Sequence, residues 1–268
     1  MRTWIVFAHA AALGALLLVP ASRATAADAV SPWKGAKVLP KLGAQVMVDD
    51  RPIDHSGFTL PWVVQDEEDE RLLVGGTLKG WVDADDVVTL DDAPEYYSQF
   101  MGRYRYEAWA YGMRAFALRE QGKILSALAD YDIALRQNPS KWTFIGRGLA
   151  YDNHHDFAKA LADFNQARRI DPKFALAFNN AAWLMATCAD EHFRDGKQAV
   201  ELATRSCELS DWKDASHLDT LAAAYAEAGD YDAAVKWQNK ALEIEPDNAE
   251  LKDHAALFKD HKPVREVK

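Results

Sequence analysis

The feature that most constrains this chain is a small set of residues that returns at a fixed distance. Ala127, Tyr131, Ala134 and Pro139 recur as Ala160, Phe164, Ala167 and Pro172, each displaced by 33 positions. Ala93 and Tyr97 lie 34 positions ahead of Ala127 and Tyr131, and Ala234, Ala241 and Pro246 form a later copy. A repeat of this length with apolar residues at helical spacing builds two antiparallel helices per unit. The small alanines let the paired helices approach closely. The ring four residues on fills the gap against the neighbouring unit, and the proline ends the second helix. One unit cannot bury its apolar face alone, so the pattern demands a stack.

The period predicts a half-repeat helix over 93–103, repeats at about 107–139, 141–172, 175–209 and 215–246, and a capping helix over 248–260 that turns Lys252, Asp253, Lys259 and Asp260 to solvent. Asp92 followed by Glu95 reads as a capping box for the first helix. The third repeat is irregular. Ala160 to Ala199 is 39 residues, and the excess falls in residues 188–196, between its two helices. Spacing of about 34 with small-aromatic-small order and a closing proline resembles the tetratricopeptide repeat. Tyr151, Tyr225 and Gly229 also stand where that motif wants an aromatic and a turn glycine.

Residues 33 to about 91 follow another rule. Short apolar or alternating runs at 37–39, 45–48, 58–64, 71–74 and 80–82 are separated by Pro40, Gly43, Asp49-Asp50-Arg51-Pro52, Ser56-Gly57 and Gly75-Gly76. Five short strands in about 60 residues predict a small antiparallel barrel, with Pro61 marking an edge or a bulge. Trp33-Lys34-Gly35, Leu72-Leu73-Val74-Gly75, Gly80-Trp81-Val82 and Asp85-Asp86-Val87-Val88 resemble the bacterial SH3-like domain. The fold class expected is therefore mainly α with a small all-β domain: an SH3-like barrel over 33–91, then a tetratricopeptide α-solenoid over 93–262. Leu90-Asp91-Asp92-Ala93-Pro94 leaves no flexible linker, so the two should form a semi-rigid pair. The whole arrangement is similar to a family of exported bacterial tetratricopeptide proteins.

The N-terminus reads as an address. A short basic start, Met1-Arg2-Thr3, precedes a nearly unbroken apolar run of 16 residues, Trp4 to Val19, and Ala24-Thr25-Ala26 fits the small-residue cleavage pattern. The run is shorter than the roughly 20 residues a membrane span wants. Residues 1–26 are expected to be a cleaved signal peptide, which makes the protein exported, periplasmic or secreted, with no stable membrane insertion afterwards.

Composition narrows the function. With 41 acidic against 31 basic residues and a net charge of -10, the surface repels phosphate backbones, so no nucleic-acid partner is expected. Neither the nucleophile-elbow pattern G-x-S-x-G nor the zinc-protease pattern H-E-x-x-H occurs, and no phosphate loop or Cys–His nucleophile arrangement is found. No enzyme, cofactor or metal is therefore expected. Cys188 and Cys207 lie on opposite sides of the irregular loop. With Cys207 about 11 residues into the second helix, they stand roughly 16 Å apart along the axis, too far for a disulfide. They read as separate buried thiols. His154-His155 in a turn and the acidic run 66–70 at a hairpin tip read as solvated.

What remains is binding. In tetratricopeptide stacks the first helices of the repeats line a concave groove. The resemblance places Trp109, Phe116 and Arg119 of repeat one on that face, with Trp142, Leu149, Asp152 and Asn153 of repeat two. Asn179, Asn180, Trp183 and Thr187 follow from repeat three, and Asp219 and Glu227 from repeat four. Asn180 matches the Asn that holds the ligand backbone in peptide-binding members, whereas the basic residues of a carboxylate clamp are missing at most equivalent positions. The expected function is a non-catalytic scaffold that holds a partner protein or peptide in this groove. The alternatives are a cell-envelope ligand binder working through the SH3-like domain, or an accessory subunit of an envelope enzyme.

Overall fold

The computed structural model describes residues 33–48, 51–53, 61–75, 79–101 and 107–266. The expected signal peptide, the run 54–60 and part of the 93–103 helix lie outside them.

Among the described residues seven strands come first: β1 (Lys37–Pro40), β2 (Val46–Val48), β3 (Arg51–Ile53), β4 (Trp62–Glu68), β5 (Arg71–Gly75), β6 (Lys79–Asp83) and β7 (Val87–Thr89). They form one antiparallel sheet in the order β3-β2-β6-β5-β4-β1-β7. Alternation does the folding work. Leu72 and Val74 of β5 and Val82 of β6 are buried while the residues between them stay partly open, so one face is apolar. Val38, Val46, Trp62, Val64, Leu72, Val74, Val82 and Val87 meet in one core cluster. Strands near both ends of the sheet thus share an interior, which requires the sheet to curl, but β3 and β7 do not pair and the barrel does not close. The acidic run is not all tip. Its first three residues continue β4, and a two-residue turn at Asp69 and Glu70, both with positive φ, closes the hairpin.

Ten α-helices follow among the described residues: α1 (Ala93–Ser98), α2 (Glu107–Glu120), α3 (Ile124–Gln137), α4 (Lys141–Asn153), α5 (Phe157–Ile170), α6 (Ala175–Thr187), α7 (Gly196–Leu209), α8 (Ala215–Glu227), α9 (Tyr231–Ile244) and α10 (Ala249–Lys259). The pairs α2–α3, α4–α5, α6–α7 and α8–α9 are the four repeats. Ala127, Ala160, Ala167, Ala199, Ala234 and Ala241 are fully buried where helices meet, and Tyr131 and Phe164 are buried beside them. Closeness has a visible cause at Gly148. A Cβ there would stand 2.5 Å from a ring carbon of Phe164, so only glycine lets α4 and α5 come together.

Ser140, Asp156, Asp195, Asp214, Asp230 and Asn248 each cap the helix that follows with a side-chain oxygen. Asp92 does not, contrary to the capping-box expectation. Its backbone is already helical, and its carboxylate takes the Thr89 hydroxyl at 2.7 Å instead.

The sheet is seated on the first helices. Leu39 and Val88 of the sheet share a cluster with Ala93 and Tyr97 of α1 and Met113 and Ala117 of α2. The Tyr97 hydroxyl donates to the Pro40 carbonyl at 2.7 Å, and the Gln121 amide to the Leu90 carbonyl at 3.0 Å. These contacts pack the sheet directly against α1 and α2.

Candidate functional site

The candidate residues lie along α2, α4, α6 and α8, the first helices of the four repeats. They do not make one continuous open stripe.

On α2, the Trp109 ring sits edge-on to Tyr97 at 5.3 Å, and Phe116 packs against the same cluster as Trp109. The Arg119 guanidinium lies 5.2 Å from the Phe116 ring and pairs with Glu120. This end of the face is taken up by docking α1 and the sheet.

On α4 the face opens. Trp142 is 47% exposed, with its ring edge-on to Phe174 at 4.6 Å. Asn153 is exposed at the end of the helix, next to the solvated turn of His154 and His155. Asp152 is different: Oδ1 is buried with no hydrogen-bond partner. Burial, and then the charge of Glu266, push its pKa up to about 7.

On α6, Asn180, Trp183 and Thr187 follow one another at helical spacing along one face. The Asn180 Nδ2 is buried without a partner. The Trp183 indole N–H donates to Glu266 Oε1 at 2.7 Å. On α8, Asp219 is only 6% exposed and accepts from His254 Nδ1 of α10 at 2.8 Å. Asp219 therefore faces another helix of this chain, not an open trough. Burial pulls the His254 pKa down, but the hydrogen bond and charge of Asp219 prevail and hold it above its ordinary value. Glu227 is gripped by two arginines, Arg194 at 3.0 Å and Arg265 at 2.5 Å.

Two features escaped the sequence reading. The segment 263–266 lies beyond the expected boundary at 262, yet it runs back over α6 and α8. The second feature is a repeated ion pair. Arg114 forks onto Asp130 at 2.6 and 2.7 Å, and Arg147 onto Asp163 at 2.8 Å twice. Both arginines and both aspartates are 33 positions apart, so the signal was present in the same period that betrayed the alanines. These pairs tie the first helix of a repeat to its second.

Cys188 and Cys207 are free, fully buried thiols. Among the described residues, no group of three or more His, Cys, Asp or Glu side chains is placed to hold a metal ion, and no helix is long and apolar enough to cross a membrane. A hollow of about 380 Å³ between α5 and α6, lined by Asn165, Arg168, Arg169 and Phe178, includes none of the candidate residues.

Residues 218–248, which take in most of α8 and all of α9, match the tetratricopeptide repeat family profile. The helical region is a tetratricopeptide-type solenoid. Solved structures agree on the fold. A tetratricopeptide repeat protein from Parabacteroides merdae is 19% identical with a TM-score of 0.54, over 64% of this chain and 66% of that one. The APC/C hetero-tetramer Cut9–Hcn1 is 17% identical with a TM-score of 0.56, over 64% of this chain and 33% of that one. A thermophilic TPR protein from Thermus thermophilus is 18% identical with a TM-score of 0.54, over 63% of this chain and 90% of that one. The chain thus spans less than two thirds of the length of each of the first two. At these identities the likeness concerns the solenoid itself. No curated protein matches the sequence.

Proposed function

We propose that this chain is a non-catalytic, exported scaffold whose tetratricopeptide solenoid holds an extended segment of a partner protein on its concave face. The observation that carries this reading is the stretch between α4 and α6. Trp142 stands half-exposed there, and two polar atoms, Asp152 Oδ1 and Asn180 Nδ2, are buried without partners. A buried polar atom that finds no partner within the chain costs about 1–3 kcal/mol. A peptide backbone laid along the face offers the N–H for one and the carbonyl for the other. The half-exposed Trp142 ring, at the other end of α4 from Asp152, supplies contact area at little cost in rotamer freedom.

In this reading the sheet is an SH3-like base. Its docking on α1 and α2 through Leu39, Val88 and Tyr97 favours a structural role over an independent ligand site, and it seals the N-terminal end of the solenoid.

The test is crosslinked partner capture with the full chain and with a Trp142→Ala/Asn180→Ala variant of unchanged helicity. The reading expects the main captured protein to fall by tenfold or more with the variant. Identical recovery from both would remove the groove assignment.

A further inference from the structure

The irregular third repeat explains a second property of the same face. In the regular repeats a tight turn follows the first helix. After α6 the connection is longer, and it loops out through Asp190 and a short 3-10 turn at Glu191–Phe193 before α7 begins. The last carbonyls of a helix have no partner within it. Here those of Ala186 and Thr187 are met from elsewhere: the segment that follows α10 supplies the donors.

The route of that segment is well defined. Lys262 N–H donates to the Leu257 carbonyl at 2.9 Å, and the His261 ring stacks on Tyr231 at 5.0 Å, so the chain turns back sharply after α10. Val264 is 8% exposed and joins the cluster of Leu218, Leu221, Leu251 and Phe258. The Arg265 guanidinium reaches Glu227 at 2.5 Å and the Ala186 carbonyl at 3.3 Å. Glu266 donates its backbone N–H to the Thr187 carbonyl at 3.0 Å and accepts from the Trp183 indole at 2.7 Å. Three consecutive residues thus meet three different chemistries. An apolar recess takes Val264. A carboxylate with a helix C-terminus, both of which favour a cation, takes Arg265. An indole donor takes the acid. This is how a bound peptide is read: main-chain hydrogen bonds and one recess per side chain.

We propose that the surface made by the end of α6 and by α8 is a binding site for an extended peptide of the order apolar–Arg–acidic, that residues 264–266 occupy it as an intramolecular stand-in, and that a partner segment of this chemistry displaces them. The proposal rests on the partner-binding reading above and names the chemistry of that partner. Charge complementarity argues for it directly. Glu227 is 14% exposed at its side chain, and a peptide cation replaces Arg265 there without leaving a buried charge bare. Arg194 remains on the other carboxylate oxygen throughout.

A fluorescein-labelled peptide Lys-Pro-Val-Arg-Glu tests it, with anisotropy as the readout. The full chain is compared with an Arg265→Glu/Glu266→Ala variant, whose own segment is repelled by Glu227 and has lost its hold on Trp183. The variant is expected to bind the peptide at least about tenfold more tightly than the unaltered chain, because a site self-occupied nine-tenths of the time weakens an outside ligand by that factor. The same peptide with Glu in place of Arg is expected not to bind. Adding Trp183→Phe to the variant is expected to weaken binding again. No binding to a variant of unchanged helicity and melting overturns the proposal, and so does equal affinity for both chains. Self-association of the variant that blocks the peptide also overturns it, in favour of segment exchange between two copies. One measurement needs no variant: in the unaltered chain the Glu266 amide is expected to be protected from hydrogen exchange, and free exchange there overturns the self-occupied state.

The two readings fail separately. If the peptide does not bind but Trp142→Ala/Asn180→Ala still loses the captured partner, the chemistry assigned here falls and the groove stands. If the peptide binds while captured partners ignore that variant, the α4–α6 assignment falls instead.

Discussion

Removing the Arg147 guanidinium offers the sharpest test of how the regular repeats are held. Arg147 binds Asp163 through two hydrogen bonds of 2.8 Å, and side-chain exposure is 20% for the arginine and 5% for the aspartate. Arg147→Met keeps the stem and deletes the charge, leaving Asp163, whose pKa burial already pushes up, without its cation under α4. Breaking one side of a buried pair costs about 3–5 kcal/mol. The partial exposure of Arg147 places this pair at the lower end, about 3 kcal/mol. The third partner, Asp132, is 42% exposed and its share is at most about 1 kcal/mol. The double substitution Arg147→Met/Asp163→Leu removes both charges and fills the space with apolar atoms, so it should recover to within about 1 kcal/mol of the parent. Urea unfolding with an unchanged slope reads these differences from the midpoints, and the non-additivity of the pair measures the coupling. If the single substitution costs under about 1 kcal/mol, the pair is a solvated surface contact. If the double is as unstable as the single, burial of the carboxylate is not the cause.

Phe164→Ala should cost about 3–5 kcal/mol in the same unfolding assay, while Gly148→Ala, whose Cβ meets the ring at 2.5 Å, should cost about 1–3 kcal/mol and be partly relieved by Phe164→Leu. Cys207 is fully buried and desolvation pushes its pKa up to about 12, so iodoacetamide at pH 8 should leave it unlabelled in the native chain and label it after guanidinium unfolding; fast native labelling would contradict its burial. Asp152, raised from 3.8 to about 7 by burial and by Glu266, binds its proton more tightly folded than unfolded, so its contribution is full below pH 3.8 and declines as pH rises to about 7. His254 lies above its ordinary 6.5, and its contribution is likewise present in acid and lost as pH climbs through the folded value. Protection of the Glu266 amide should therefore weaken from acid towards alkaline pH, and Asp152→Asn should flatten the part of that profile below about pH 7; a rise with pH would refute the sign.

How much of this was legible depends on the range of the forces involved. The helices were, because Ala127, Tyr131, Ala134 and Pro139 repeat at 33 and each does a local job in the same place. The inward strand residues Leu72, Val74 and Val82 were too, through plain alternation. Strand β3 was not, because Pro52 reads as a breaker; it is tolerated there because β3 is an edge of the sheet, with β2 as its single neighbour. The capping box at Asp92 misled because Thr89, three residues earlier, competes for the same carboxylate. The candidate site was least legible. Trp183 and Glu266 are 83 residues apart, and no periodicity announces a segment that the fold brings back. Asp219 was placed on the right helix, but nothing local told of His254.

The departure from the repeat also adjoins the surface proposed above to bind a peptide. Arg114 and Arg147 occupy one position of the repeat, and 33 residues further that position holds Asn180. On the facing helix, Asp130 and Asp163 give way to Leu202 once the long connection is counted. The internal ion pair that closes repeats one and two therefore cannot form in repeat three, and the Asn180 amide is left buried without a partner. Contacts of another kind gather beside it, between α8 and the C-terminal side of the chain. His254 binds Asp219, Val264 fills the apolar recess and Arg265 binds Glu227. Such contacts are made by one helix and one extended segment, with few backbone hydrogen bonds to hold the segment in place. Under the proposal above, the contacts of the extended segment, Val264 and Arg265, are the ones a competing peptide replaces without unfolding a repeat. The lock is lost through Asn180 and Leu202, and a few residues on, where the long connection leaves α6, the carbonyls of Ala186 and Thr187 take their donors from Arg265 and Glu266, the positions a displacing peptide would fill.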